Sequence, residues 1–196
     1  MGKISKKFLI ILLFLFITGC SNKRILQYRN FGIDYLNNKN YEEALNYFNQ
    51  AIVEGDGEIG PIQYDLLMYK AHCLYMLKRY EECKNIYETL LLIDKNNRTY
   101  KDLYENVSSV VDKVLFSNYL NNGEIEKADE IFRKLKEQGL EHEKSVMFNQ
   151  GVLYEKKGEW KDALNAFNYY LKQYPNDEKA IHEIEFINSE LNDVYN

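Results

Sequence analysis

Hydrophobic and small residues recur along this chain at fixed offsets. Gly32 is followed by Tyr35, Ala44 and Phe48, and Gly151 by Tyr154, Ala163 and Phe167. The offsets are three, twelve and sixteen residues in both cases. Ala71, Leu74, Cys83 and Tyr87 keep them, as do Phe116, Tyr119, Ala128 and Phe132. A fixed internal period signals one supersecondary unit stacked several times. Within each set, turn-forming or charged residues interrupt the pattern: Asn37-Asn38-Lys39-Asn40, Lys78-Arg79, Asn121-Asn122-Gly123 and Lys157-Gly158-Glu159. Each unit therefore reads as two antiparallel helices joined by a short turn. Gly32 with Ala44, and Gly151 with Ala163, are placed where the helices cross, because only small residues let backbones approach there.

The spacing between units is uneven: 39 residues from Gly32 to Ala71, 45 from Ala71 to Phe116, and 35 from Phe116 to Gly151. The first excess is the run from Gly55 to Pro61, a loop whose Pro61 suits the first turn of a helix. The second lies around Asn96 to Ser108, without Gly or Pro. Thr99 with Asp102 has the form of a capping box, which predicts a longer first helix in the third unit. After Pro175, the residues Ala180, Ile181, Ile184, Ile187, Leu191 and Val194 recur at helical spacing. They predict an amphipathic last helix that covers the open end of the stack.

The fourth unit, with Gly151, Tyr154, Gly158, Ala163, Phe167 and Pro175, resembles the tetratricopeptide repeat, a helix–turn–helix unit of about 34 residues. So does the first, with Tyr28, Phe31, Gly32, Tyr35, Ala44, Phe48 and Ala51. The middle units depart from the pattern, with Cys83 in a small-residue slot and Phe116 where Gly is usual. The resemblance implies an all-α, tetratricopeptide-like right-handed α-solenoid of about four helix pairs plus a C-terminal capping helix. The expected partition is 25–58, 64–97, 109–142 and 144–177 for the repeats and 178–196 for the cap.

In proteins with this repeat, the first helix of each unit lines a concave face. Carried onto this chain, that places Arg29, Ile33 and Leu36, then Asp65, Met68, His72 and Tyr75, on the expected groove. The third unit adds Val110, Lys113, Ser117 and Leu120, and the fourth Ser145, Phe148, Val152 and Glu155. The apolar members serve either as anchors for a protein or peptide partner or as helix–helix core. Some tetratricopeptide proteins clamp a partner's C-terminal carboxylate with Lys and Asn. Here Ile33 and Val110 occupy places where such a clamp needs Asn and Lys, so clamping of that kind is not supported.

Residues 1–19 are a different kind of sequence. Lys3, Lys6 and Lys7 precede ten consecutive apolar residues, Phe8 to Ile17, and then Thr18, Gly19 and Cys20. Ten apolar residues are too few to cross a bilayer, which takes about 20. The order is that of an export signal, and its ending resembles the lipobox of bacterial lipoproteins. The resemblance implies cleavage after residue 19, lipidation of Cys20, and a short tether over residues 20–24. A plain signal peptide or an uncleaved anchor is the alternative. The expected location is the bacterial cell envelope, lipid-anchored on the extracytoplasmic side of a membrane. With only Ser21, Asn22 and Lys23 before the helical pattern, an extended tether would reach roughly 10–15 Å, so the expected partner is membrane-proximal.

Charge narrows the function further. The chain has 25 basic and 30 acidic residues. Residues 1–19 hold three lysines and no acid, so the remainder has 22 against 30, a net of −8. Nucleic-acid binding needs a basic footprint and is not expected. Lys23, Arg24, Arg29 and Lys39 against Asp34 leave the start of the remainder locally basic. That charge either meets anionic headgroups beside the anchor or is an ordinary solvated face.

Catalytic chemistry has no motif here. His72, His142 and His182 lack zinc spacing, and no phosphate loop or nucleophile motif is present. Neither enzyme activity, nor a cofactor, nor a metal is expected. Glu42, Glu43, Glu81, Glu82 and Glu126 fall at starts of second helices, where they favour the helix dipole. Cys73 and Cys83 lie on successive predicted helices of one unit, either packed as small apolar residues or bridged. The leading expectation is a membrane-anchored protein–protein interaction scaffold. The second is a structural subunit of an envelope machine, resembling lipoproteins of outer-membrane barrel assembly or pilus assembly. A solute-binding receptor has no supporting motif.

Overall fold

The structure is a computed structural model. It describes the backbone of residues 6–55 and 60–195 and the side chains of 22–55 and 60–192. Among these residues the elements are nine helices: α1 (Lys6–Asn37), α2 (Tyr41–Glu54), α3 (Pro61–Met76), α4 (Tyr80–Ile93), α5 (Arg98–Asn122), α6 (Ile125–Glu137), α7 (Lys144–Lys156), α8 (Trp160–Gln173) and α9 (Glu178–Tyr195). They form two compact units, Met1–Ser108 and Ser109–Asn196, with the division inside α5.

One local device builds all four helix pairs. The residue seven positions after the first of each set has a left-handed backbone: Lys39 (φ 59°), Lys78 (φ 60°), Gly123 (φ 74°) and Gly158 (φ 74°). Its N–H bonds to the carbonyl three residues back, and the next N–H reaches the carbonyl five residues back. Lys39 bonds to Leu36 and Asn40 to Tyr35; Gly158 bonds to Glu155 and Glu159 to Tyr154, all at 2.9 Å. This is a Schellman closure, which satisfies carbonyls left open at a helix end. The residue making the longer bond also opens the next helix. The carbonyls of Asn40, Arg79, Glu124 and Glu159 accept from the N–H of Ala44, Cys83, Ala128 and Ala163. Each reversal of direction is therefore compact, and the small residue sits one turn into the second helix.

Ala44, Cys83, Ala128 and Ala163 are all completely buried. The opposing residue decides how near the helices come. A Cβ on Gly32 would lie 2.6 Å from the Phe48 ring, and one on Gly151 2.6 Å from the Phe167 ring. In both pairs the ring occupies the space that glycine leaves. In the third pair Phe116 takes the glycine place and stacks on Phe132, with centroids 5.5 Å apart. Backbones accordingly run close over the greatest length in α1–α2 and α7–α8, less in α3–α4, and least in α5–α6.

The first unit has one core, from Ile25 through Phe48, Leu66, Leu74 and Leu90 to Val107, with Tyr100, Leu103 and Tyr104 of α5 packed on it. The second has two. Phe116, Leu120, Phe132, Leu135, Val146 and Leu153 fill α5–α6–α7. Met147, Phe167, Tyr170, Ala180 and Ile187 fill α7–α8–α9.

Several expectations meet the structure directly. Pro61 is at the start of α3, and α5 is the long first helix of its pair, at 25 residues. The capping residue is not Thr99, however. Asn97 Oδ1 accepts the Tyr100 N–H at 3.2 Å, and Thr99 lies inside the first turn. Asn is among the best cap residues, and because the helix starts at Arg98 it is Asn97 that stands immediately before the open N–H groups. Cys73 and Cys83 are both buried and free, and burial pushes both thiols up to about 11. Helix α9 covers α8 with Ala180 and Ile187 buried and Ile184 and Leu191 half-buried, whereas Ile181 remains exposed. Among the described residues no helix is long and apolar enough to cross a membrane.

Candidate functional site: a cleft in the second unit

The residues expected on a groove have two fates. In the first unit they are largely engaged with their own fold. Arg29 donates from Nε to Asp65 Oδ2 at 2.6 Å, and its guanidinium lies 5.4 Å from the centre of the Tyr69 ring. Ile33, Leu36 and Met68 pack half-buried against the core. His72 and Tyr75 are exposed, edge-on to Tyr41 and Tyr80.

In the second unit they converge. Lys113, Ser117 and Leu120 of α5 and Ser145, Phe148, Val152 and Glu155 of α7 line one cleft of about 800 Å³. The helical period explains the selection. Lys113, Ser117 and Leu120, and likewise Ser145, Phe148, Val152 and Glu155, are three or four positions apart, so each series shares a face. Val110, one turn earlier on α5, is not among the lining residues.

Other residues complete the cleft without any signal of their own in the sequence. Tyr170 comes from α8, Asp177 from the turn after it, and Lys179 and Glu183 from α9. Tyr170 is buried, stands edge-on to Phe148 at 5.6 Å, and donates its hydroxyl to Asp177 Oδ2 at 2.6 Å. Lys144 Nζ is 3.2 Å from the same oxygen. The Tyr170 hydroxyl and Lys144 together hold the Asp177 carboxyl below its ordinary value. Burial, reinforced by that carboxylate, raises the Tyr170 hydroxyl. Across the cleft, Lys113 Nζ reaches Glu143 Oε2 at 2.6 Å.

Glu155 behaves differently. Burial first, and then the facing Glu183 carboxyl, raise it to about 7. Two like carboxyls at one site cannot both ionise cheaply, so Glu155 holds its proton up to near neutrality. Among the described residues no group of three His, Cys, Asp or Glu converges as a metal site. A lining of half-buried apolar side chains between charged ones suits a bound polypeptide segment.

A further buried group escaped the sequence reading. Asp112 is 2% exposed and accepts from Lys134 Nζ at 2.8 Å and Gln138 Nε2 at 3.2 Å. It ties α5 to the end of α6, supplying polar bonds across the pair whose backbones are least close.

Family comparisons agree with the geometry of the repeat. Models described as tetratricopeptide repeat match residues 35–107 and 145–177, together more than half of the chain. A PPR repeat model matches residues 113–140, the pair with Phe116 in place of glycine. No curated protein matches the chain. Among solved structures, a tetratricopeptide repeat protein from Parabacteroides merdae shares 14% identity at a TM-score of 0.51. The alignment covers 84% of this chain and 72% of that one. MamA from Desulfovibrio magneticus aligns at 15% identity and a TM-score of 0.41, over 87% and 86% of the two chains. The recurrent offsets, the buried small residues at each crossing and the two repeat matches lead to one assignment: the chain belongs to the tetratricopeptide-repeat family.

Proposed function

We propose that this protein is a protein–protein interaction scaffold of the bacterial envelope, held to a membrane by lipid on Cys20. Its second unit takes a segment of a protein partner in the cleft between α5, α7 and α9. The observation that carries this reading is the convergence of seven expected groove residues, from two different repeats, on that cleft. Its volume falls in the range of formed binding sites, about 300–1,000 Å³. The apolar side chains offered there, Phe148 and Val152, are half-buried and so have surface left to cover.

Photo-crosslinking in cells tests it. A photoreactive residue at Ser145, exposed on the cleft lining, should give a discrete adduct with a protein partner. The same residue at exposed Glu130 on α6, outside the cleft, should not. Introducing Ser117→Arg with Asn149→Arg should fill the cleft and abolish the Ser145-dependent partner while helix content stays unchanged. Equal adducts from both positions would remove the cleft from consideration.

A further inference from the structure

Four lysines and four carboxyls line the cleft, and they are unevenly paired. Of its charged groups, Lys113 is matched by Glu143 and Lys144 by Asp177. Lys156 and Lys179 are exposed members of the lining, while Glu155 and Glu183 are half-buried and face each other from α7 and α9. Lys156 favours the ionised form of Glu155, but by less than burial and Glu183 oppose it. Of the half-buried charges lining the cleft, Lys113 and Asp177 are ion-paired, whereas Glu155 and Glu183 have no ion pair among the described residues.

From this geometry we infer that the partner segment presents a Lys or Arg side chain, received between Glu155 and Glu183, with an apolar side chain against Phe148 and Val152. The inference rests on the reading of the cleft as a partner site. A cation can displace the proton that Glu155 holds and donate to both carboxylates, since an ammonium has three donors and a guanidinium five. An acidic segment would add further negative charge there. The apolar half is already organised, because Phe148 is fixed edge-on by Phe167 at 5.4 Å and Tyr170 at 5.6 Å.

Spacing makes the inference specific. Phe148 and Glu155 are seven positions apart on α7, about 10 Å at 1.5 Å per residue. An extended segment covers that distance in about three residues at 3.3 Å each. The basic and apolar side chains of the partner should then stand about three positions apart. The proton gives a second signature. Glu155 is raised to about 7 in the empty cleft, and a bound cation draws it down. Binding therefore expels a proton to solvent near neutrality and strengthens as pH rises from 6 to 8.

Fluorescein-labelled nonapeptides with one Leu and one Arg three positions apart provide the probe, measured by anisotropy against the full chain in detergent micelles. The comparison peptide carries citrulline, which keeps the shape of Arg without its charge. The Arg peptide should bind about tenfold more tightly, as a charge-assisted hydrogen bond implies, and its advantage should grow towards pH 8. Glu155→Gln with Glu183→Gln should erase the advantage without lowering the melting temperature, because it keeps the shape and removes like charge. Equal binding of the two peptides, binding of neither, or an advantage that survives in the double Gln variant would overturn the proposal. The Ser145 crosslink separates this from failure of the cleft itself. An adduct whose mapped partner segment lacks any basic residue leaves the cleft as a docking site and removes the cation.

Discussion

At the scale of single residues, the four left-handed positions within the helix pairs are a natural experiment. Gly123 and Gly158 fill two of them, and Lys39 and Lys78 the others at nearly the same φ. An L side chain in this conformation costs about 1–2 kcal/mol, and glycine avoids that at an entropic cost of about 0.5–1 kcal/mol. Lys39→Gly and Lys78→Gly should each raise the melting temperature by about 2 °C, and Gly158→Ala should lower it by about 3 °C. No atom would crowd a Cβ at Gly158, so only the backbone term is changed. Thermal unfolding followed by circular dichroism reads all three, and a fall on Lys39→Gly would mean that its side chain contributes more than its backbone costs. These positions were half legible beforehand. The runs around them announced turns, but the conformation of two lysines cannot be read from residue type, because lysine has no preference for it. The small residues were fully legible, since an identical offset in four places has a steric cause wherever it occurs. The cap of α5 was misplaced because Asn97 and Thr99 are both good cap residues, and only the course of the chain decides between them.

At the scale of elements, the residue opposite the small position sets how closely a helix pair packs. Glycine goes with long close backbone runs in α1–α2 and α7–α8, alanine with a shorter one in α3–α4, and phenylalanine with the shortest in α5–α6. Gly151→Leu would force a side chain into the Phe167 ring, whose atoms lie 2.6 Å from the first carbon added. Overpacking of this kind costs typically 1–3 kcal/mol. The expected result is a lower melting temperature with nearly unchanged helix content at room temperature, and an unchanged melting temperature would show that the ring can move aside freely. The same substitution bears on the cleft, because Phe167 supports Phe148. Loss of the Ser145 crosslink in Gly151→Leu would tie repeat packing to the cleft lining. The faces of α5 and α7 were legible because helical spacing selects them. The contributions of α8 and α9 were not. Tyr170 reads as core and Glu183 as a solvated charge until the last helix is placed, and placement depends on contacts between repeats rather than on any local pattern.

At the scale of the whole molecule, the remaining question is what the N-terminus does to the reach of the scaffold. Residues 20–24 continue the helix α1 rather than forming an extended leash, while residues 1–5 and the side chain of Cys20 lie outside the described residues. Five helical residues span about 8 Å, less than the same residues extended. The first unit begins its own packing immediately beyond, with Ile25 6% exposed and Arg24 2.9 Å from Glu54 of α2. A lipid on Cys20 would thus hold that unit close to the headgroups, where the exposed Lys23 would meet anionic lipid. Cys20→Ala should release the protein from the membrane fraction or leave the precursor unprocessed, and the intact mass of the wild-type protein should carry acyl chains. A mature mass without them would remove the anchor from the proposal and leave the scaffold reading untouched. Proximity is tested separately by inserting about twenty Gly/Ser residues after Lys23, which turns the start of the helix into a flexible coil of roughly 25 Å. If the partner is itself held at the membrane, the Ser145 crosslink should weaken in the lengthened variant although Cys20 is still lipidated and the cleft is unchanged. An equally strong crosslink would mean that the partner comes to the cleft from solution, and that the anchor confines the scaffold without selecting what it binds.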